Sequence, residues 1–420
     1  MIARRAWLAG SLLCLALIFA IKPTYAANPV IEIAPSDAQP KQPGVFHHLD
    51  ASGRSSLAVS GNSVGLVWED NRSGAPGCYL ALKSDDSNKP HPFHEFRFGQ
   101  GECFEPAIAA FDAGRFGLIW EDASGVNVAL ADSAGPGSAT RLAETGGQGA
   151  LTFHAKFGAQ AAWSSPDGRW RRVWHAPLRI EGKRLIAGAM HPADAAPATD
   201  DQTFPALATS AHGLMLAWED RRFGHTVILG SACGNPGNPA AEAQNWSPPA
   251  RISGNPTGKA QGNLGRGTGA MRPVLARFGE QFAAAWLDKR DFLSGYDVYA
   301  ALTPKNSDPL HFNQDRKAQD SFGDAIAQWH VASAGNEHGE LILAWDDERD
   351  GTADIWLTRL TGTTEAKNYS ENFTLPAAAG PSHQTDPAIA LDAAGNLHLA
   401  WIERGSDGAT RLRYTKWSTK

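Results

Sequence analysis

Four polar residues stand where this chain could do chemistry: Glu105, Arg272, His330 and Asp386. Three of them head proline-led apolar runs, EPAIA (105–109), RPVLA (272–276) and DPAIA (386–390), and His330 holds the corresponding place ahead of Val331. If those runs are equivalent pieces of repeated units, the four side chains converge on one end of a shared axis. Two carboxylates roughly 5 to 10 Å apart suffice for glycoside hydrolysis, and an arginine can hold an anionic group. The plainer reading is a set of polar residues lining a wet channel.

A second set is chemically similar but repetitive. Asp70/Arg72, Asp220/Arg222, Asp288/Arg290 and Asp347/Arg349 each follow a tryptophan in a W-x-D-x-R pattern. An aspartate so placed accepts backbone N–H groups of its own turn, and the arginine pairs with it. Repetition favours that architectural role, because a catalytic site is asymmetric. Asp346, Asp347, Asp350 and Asp354 could hold calcium, a hard cation that takes oxygen ligands. They lack the regular D-x-D-x-D-G spacing, so a solvated turn is expected and no metal is assigned. The sequence has no nucleophile elbow, HExxH pair, phosphate-cradling glycine loop or dinucleotide fingerprint.

The elements that must carry these residues repeat seven times. A short apolar run ends in Trp68, Trp120, Trp163, Trp218, Trp286, Trp345 and Trp401, at intervals of 43 to 68 residues. In five of them Asp70, Asp122, Asp220, Asp288 or Asp347 follows two residues later. Self-similarity at about 40 to 60 residues means an array of supersecondary units. Each unit reads as a first apolar strand, a Gly or Asn turn, the Trp strand and a polar turn. An alternating strand such as ADIWLTRL (353–360) follows, then a variable fourth strand such as PARIS (249–253). Such runs between Gly, Pro, Asn and Asp clusters are strands, and no sustained helical stripe interrupts them.

The prediction is an all-β, seven-bladed propeller of four-stranded antiparallel blades. Six blades is the alternative, because WSSPDGRW (163–170) departs from the repeat. HPFHEF (91–96) reads as loop. The last unit stops after its third strand at Trp417, while Pro29-Val30-Ile31-Glu32-Ile33 stands alone before the first unit. Pairing of those two segments would close the ring and remove its open edges.

Residues 1–26 read as a secretory signal peptide: Arg4 and Arg5, an apolar stretch from Ala6 to Ile21, then small residues at Thr24-Tyr25-Ala26. Residues 27–420 then form a single propeller domain, secreted or periplasmic, without membrane insertion and expected to be a monomer. Removing the leader takes away Arg4, Arg5 and Lys22 and no acid, so the formal charge moves from −6 to −9. That balance argues against nucleic acid as a partner. Export permits a disulfide, and Cys78 with Cys103, in the first repeat, is the predicted pair, leaving Cys233 free.

WEDRR (218–222) preceded by FPALA (204–208), together with NWSPPARIS (245–253), resembles the sialidase-like propellers and their neuraminidase-type repeats. The run Trp345-Asp346-Asp347-Glu348-Arg349-Asp350-Gly351 with Asp354-Ile355-Trp356 is similar, more closely, to exported bacterial propellers carrying W-x-D-x-R-x-G-x-x-D-I-Y repeats. The resemblance spans nearly all of residues 28–420 and implies the propeller fold. Sialidases place an arginine two residues before the first-strand proline, as part of a three-arginine carboxylate clamp. Here those positions hold Phe104, Thr203, Met271 and Thr385, and Arg272 is one place off. The leading expectation is therefore an exported, non-catalytic propeller that binds a ligand or partner protein, with a glycan as candidate. A sialidase-like glycoside hydrolase and a structural module of an envelope assembly are the alternatives.

Overall fold

The computed structural model describes residues 29–34, 46–84, 92–112, 114–234, 246–254, 269–290, 295–304, 311–320, 326–361 and 369–418. The leader and Cys14 lie outside them. Their strands form seven antiparallel sheets, each with four strands along its main path. Blade 1 runs from His47 to Phe98, and blades 2 to 6 open with the strands Cys103–Ala110, Gly147–His154, Gln202–Ser210, Ala270–Phe278 and Gln328–Gly335. Blade 7 takes His383–Leu391, Leu397–Arg404 and Thr410–Trp417 from the C-terminus and Ile31–Ala34 from the N-terminus. The closing pair places Ile31 opposite Tyr414 and Glu32 opposite Arg413, with Glu32 ion-paired to Arg413. The doubtful third repeat is a complete blade, with Trp163 paired to Trp174. His94–Phe98, read from sequence as loop, is instead the fourth strand of blade 1, bonded to Cys78–Leu82.

The core is divided into interfaces. Trp120 packs with blade 1, Trp163 with blade 2, Trp218 with blade 3, and so on round to Trp68, which packs with blade 7. Six of the seven indoles are no more than 1 % exposed, and Trp120 is 4 %. Neighbouring blades diverge outward, and a large ring on the second strand fills the widening gap. The Cys78–Cys103 disulfide forms as predicted, but it joins the third strand of blade 1 to the first strand of blade 2 rather than closing within one unit. Cys233 is free and buried.

Blade 1 departs from the others at its centre. In blades 2 to 7 the first strand skips two residues of register, for example between Phe104 and Ala107. In blade 1, His48 pairs with Glu69, and register resumes only where Ser56 accepts the Val67 N–H. The intervening residues 49–55 fold into a turn, with a short 3-10 segment Ser52–Arg54, that plugs the central channel. Gly53 at its tip has φ 62° and faces Ala206 of blade 4, where a Cβ would lie 3.5 Å from that backbone. Only glycine enters this conformation without strain. Beneath the plug a cavity of about 180 Å³ runs down the axis, roofed by Gly53, Arg54 and Ser55.

Candidate functional site

Two neighbouring residues on the second strand of each blade build two different structures. Successive side chains of a strand point to opposite faces, so the residue after each tryptophan and the aspartate that follows it diverge. The aspartates face inward. Asp70, Asp122, Asp220, Asp288 and Asp347 are at most 8 % exposed, and each accepts the Nε1–H of its own tryptophan at 2.7 to 3.3 Å. Where Arg72, Arg222, Arg290 or Arg349 follows, the same carboxylate accepts its backbone N–H and its guanidinium. A second carboxylate completes each set: Glu95, Asp194, Asp315 and Asp320 respectively. In three blades the guanidinium also lies over a third-strand ring, 3.9 to 4.3 Å from Tyr79, Tyr299 or Trp356. In blades 3 and 7, which lack the aspartate, the Nε1 atoms of Trp163 and Trp401 are buried without a hydrogen-bond partner. The carboxylates and guanidinium groups of the four Asp/Arg turns are therefore committed to holding a turn, with Arg290 Nε the one buried atom among them left without a hydrogen bond.

The other face of the same strands turns toward the first strand of the following blade. Seven non-glycine residues of the described chain have left-handed backbone, one in each blade: Arg54, Glu105, Gln148, Phe204, Arg272, His330 and Asp386, with φ between 46° and 56°. The four residues singled out from sequence are thus four members of one ring. Contrary to the prediction, they do not begin their strands; except at Arg54, each ring residue lies at a bulge one to three residues inside, where the register shifts. A bulge turns a strand and re-aims its side chain, and proline next to it removes an N–H that the ladder no longer needs. Pro106, Pro205, Pro273 and Pro387 occupy that place. Such backbone costs on the order of 1–3 kcal/mol per residue and persists where surroundings enforce it.

Enforcement comes from the preceding blade. The N–H of Glu105 donates to the Glu69 carboxylate at 3.3 Å, that of Gln148 to Glu105 at 3.0 Å, and that of Phe204 to the Gln148 side chain at 3.0 Å. Likewise the N–H of Arg272 donates to Glu219 at 2.6 Å and that of Asp386 to Asp346 at 3.2 Å. Glu69, Glu219 and Asp346 each directly follow a repeat tryptophan; sequence reasoning passed over the two glutamates and considered Asp346 only as a calcium ligand. The signal was the thrice-repeated W-E-D, whose glutamate must face away from the turn aspartate.

Side chains of the ring meet around the plug. Asp50 lies 3.3 Å from Arg54 and 3.0 Å from Arg272, and Arg54 reaches Asp386 at 3.4 Å. Arg272 also stacks on Phe204, 3.6 Å from its centroid. His330 contacts Asp346 at 2.7 Å and Asp386 at 3.6 Å. So Arg272, Asp386 and His330 are linked through the plug residues Asp50 and Arg54, while Glu105 joins through backbone bonds on the opposite side. Burial, with Asp50 nearby, pushes the Glu105 carboxyl up to about 7. Burial does the same to Glu219, also to about 7, against the N–H and charge of Arg272. Burial opposes charge on His330, but Asp346 and Asp386 prevail and raise its pKa. Asp386 is likewise held below the usual range, since His330 and Arg54 outweigh its burial.

The four acids considered for calcium do not converge. Asp346 bonds to His330, Asp347 to Trp345 and Arg349, and Asp354 accepts the Gly380 N–H at 2.9 Å. Among the described residues no group of three or more His, Cys, Asp or Glu side chains is arranged to hold a metal ion.

No family model matches this chain. No curated protein matches it either. Several solved structures are similar. The Penicillium chrysogenum alpha-L-arabinanase complexed with arabinobiose shares 14% identity over 74% of this chain and 92% of its own, at a TM-score of 0.47. The catalytic domain of the Coprinopsis cinerea GH62 alpha-L-arabinofuranosidase shares 14% over 64% and 90%, at 0.36. A Dyadobacter fermentans protein of unknown function shares 10% over 90% and 100%, at 0.46. At these scores the likenesses transfer no activity and no residue roles.

Proposed function

We propose that this chain is an exported, non-catalytic propeller whose plugged face, the one carrying the six bulges, binds a ligand or partner, with a glycan as the leading candidate. One observation carries the reading. Seven strained residues form one ring around the axis, yet their side chains differ in every blade but the two arginine ones. Architecture repeated sevenfold would need one residue type, as the turn aspartates show, so the variety points to recognition. Export rests on the secretory pattern of residues 1–26. The sialidase alternative loses support, because Arg54 and Arg272 are both paired with Asp50 and no third arginine belongs to the ring. A glycan array probed with the purified mature protein tests the reading, with Arg272→Ala and Asp386→Asn as variants. Binding that survives both variants unchanged would place the ligand elsewhere.

A second reading has its own support. Glu105 and Glu219 are carboxyls held near neutrality by burial, the condition a general acid of glycoside hydrolysis requires. Fluorogenic glycosides assayed with the wild type and with Glu219→Gln and Glu105→Gln decide it. Hydrolysis that disappears in either variant would make the protein an enzyme.

A further inference from the structure

Beside the ring, at the junction of blades 5 and 6, lies an aromatic pair that neither the turns nor the bulges use. Trp329 precedes the ring residue His330 on the same strand and is 39 % exposed, whereas the repeat tryptophans are buried. Its ring centroid lies 4.8 Å from that of Tyr296, tilted 49°. Tyr296 is tied to this strand, since its carbonyl accepts the Gln328 N–H at 2.9 Å, and Lys289 Nζ stands 5.2 Å from its ring. Glu219 is close enough for its charge to help burial raise the Tyr296 hydroxyl pKa. On the other side of the strand ladder, Trp329 is paired with Asp346, the acceptor for His330. An indole left half open on a propeller face costs apolar hydration that a buried position would avoid.

We propose that Trp329 and Tyr296 form the stacking floor of a subsite for an uncharged pyranose residue. This rests on the binding role proposed above for the same face, and it adds the platform and the ligand's charge. A pyranose has an apolar C–H face that covers an indole and hydroxyl groups around its edge, which suits a surface that is apolar in one place and polar beside it. The polar groups at hand are chiefly acceptors: Glu219, Asp346, Asp386 and Asp50. Carboxylates accept hydrogen bonds from hydroxyls and repel an anionic sugar. Arg54 and Arg272 offset this only in part, because Asp50 contacts both and Asp386 contacts Arg54, and Lys289 is the one cation beside the platform itself among the contacts described. An apolar peptide would leave those acids desolvated and unpaired, which is costly.

The test uses the mature full-length protein on an array of neutral, amino-sugar and sialylated oligosaccharides, followed by titration of the best neutral binder. Neutral glycans should bind and sialylated ones should not. Trp329→Ala should weaken the neutral binder about tenfold or more, Trp329→Phe less, and both should melt with the wild type. Unchanged affinity in Trp329→Ala, with affinity lost in Arg272→Ala, overturns the platform while leaving the plugged face as the binding surface. Unchanged affinity in both variants overturns the two readings together. A preference for sialylated glycans, or a silent array with binding instead to lysine- and arginine-rich peptides, overturns the uncharged-sugar assignment.

Discussion

The turn aspartates and the acids that brace the axial ring stand one residue apart on the second strands of blades 1, 4 and 6, yet the two regions use acids and arginines to opposite ends. In the turns, each carboxylate meets an indole N–H, a backbone N–H and a guanidinium, and the same geometry recurs in blades 1, 4, 5 and 6. Around the axis the ring holds two acids and two arginines among seven residues, Glu105 and the bracing Glu219 are raised to about 7, and no two adjacent blades present the same side chain. The lesson is that repetition with full pairing marks a girder, whereas strain with unequal side chains marks a surface open to selection for binding. An Asp–Arg pair is not informative by itself; its partners are.

That contrast can be broken by experiment. The largest effect should come from the ring that anchors a turn: Trp345→Ala should cost about 3 to 5 kcal/mol in denaturant unfolding, as large aromatic deletions in cores do. A loss under about 1 kcal/mol would mean that the indole is not part of the interface. Asp220→Ala comes next, at about 2 to 4 kcal/mol, because it leaves the Trp218 Nε1–H and the Arg222 guanidinium without their buried acceptor. Asp386→Asn, by comparison, should change stability less and ligand affinity more; the reverse ranking would erase the distinction.

Titration separates the two regions in a third way. Glu105 and Glu219 are raised from the ordinary glutamate value to about 7. The folded state therefore binds more protons than the unfolded chain between about pH 4.5 and 7, and their contribution is full below that window and lost as pH rises through it. Glu219→Gln and Glu105→Gln, which keep an acceptor for the ring N–H, should flatten this slope and gain about 1 kcal/mol or more at pH 8. Identical slopes in wild type and variants, measured by unfolding at pH 5, 6, 7 and 8, would refute it. The smallest stability effect belongs to Arg272→Ala, within about 1 kcal/mol, since its side chain is partly exposed and its partner Asp50 keeps Arg54. Only ligand binding should register that change.

Sequence alone carried the propeller a long way, for a physical reason: the Trp-centred strand recurs because every interface needs the same wedge. The N-terminal strand in blade 7 was legible for a similar reason, since a missing fourth strand demands a donor. Glu105, Arg272, His330 and Asp386 could be grouped from their alignment with apolar runs, but their left-handed backbone could not be foreseen. Proline beside three of them was the available clue, and it was taken for a strand start when it marked a bulge. Arg54 and Asp50 were invisible, because the plug replaces a two-residue bulge with seven residues and hides the alignment. Trp329 was passed over for lacking the repeat's pattern, which is the property that sets it apart.

The strand Ile31–Ala34 also dictates the order in which this molecule can assemble. Its ion pair with Arg413 spans 381 residues of sequence, close to the longest separation the chain permits. Blades 1 to 6 are built from nearby segments and can form as each emerges, but blade 7 waits for the C-terminal strand. Contacts of such range slow folding, because the loop entropy is lost before the contact stabilises anything. Until then the early blades stand as an open arc, its two end sheets unpartnered. Closure then acts as a latch: once it is made, unfolding must release the seam or tear a wedge between blades. The lifetime of the native ring, more than its equilibrium stability, is what this strand controls.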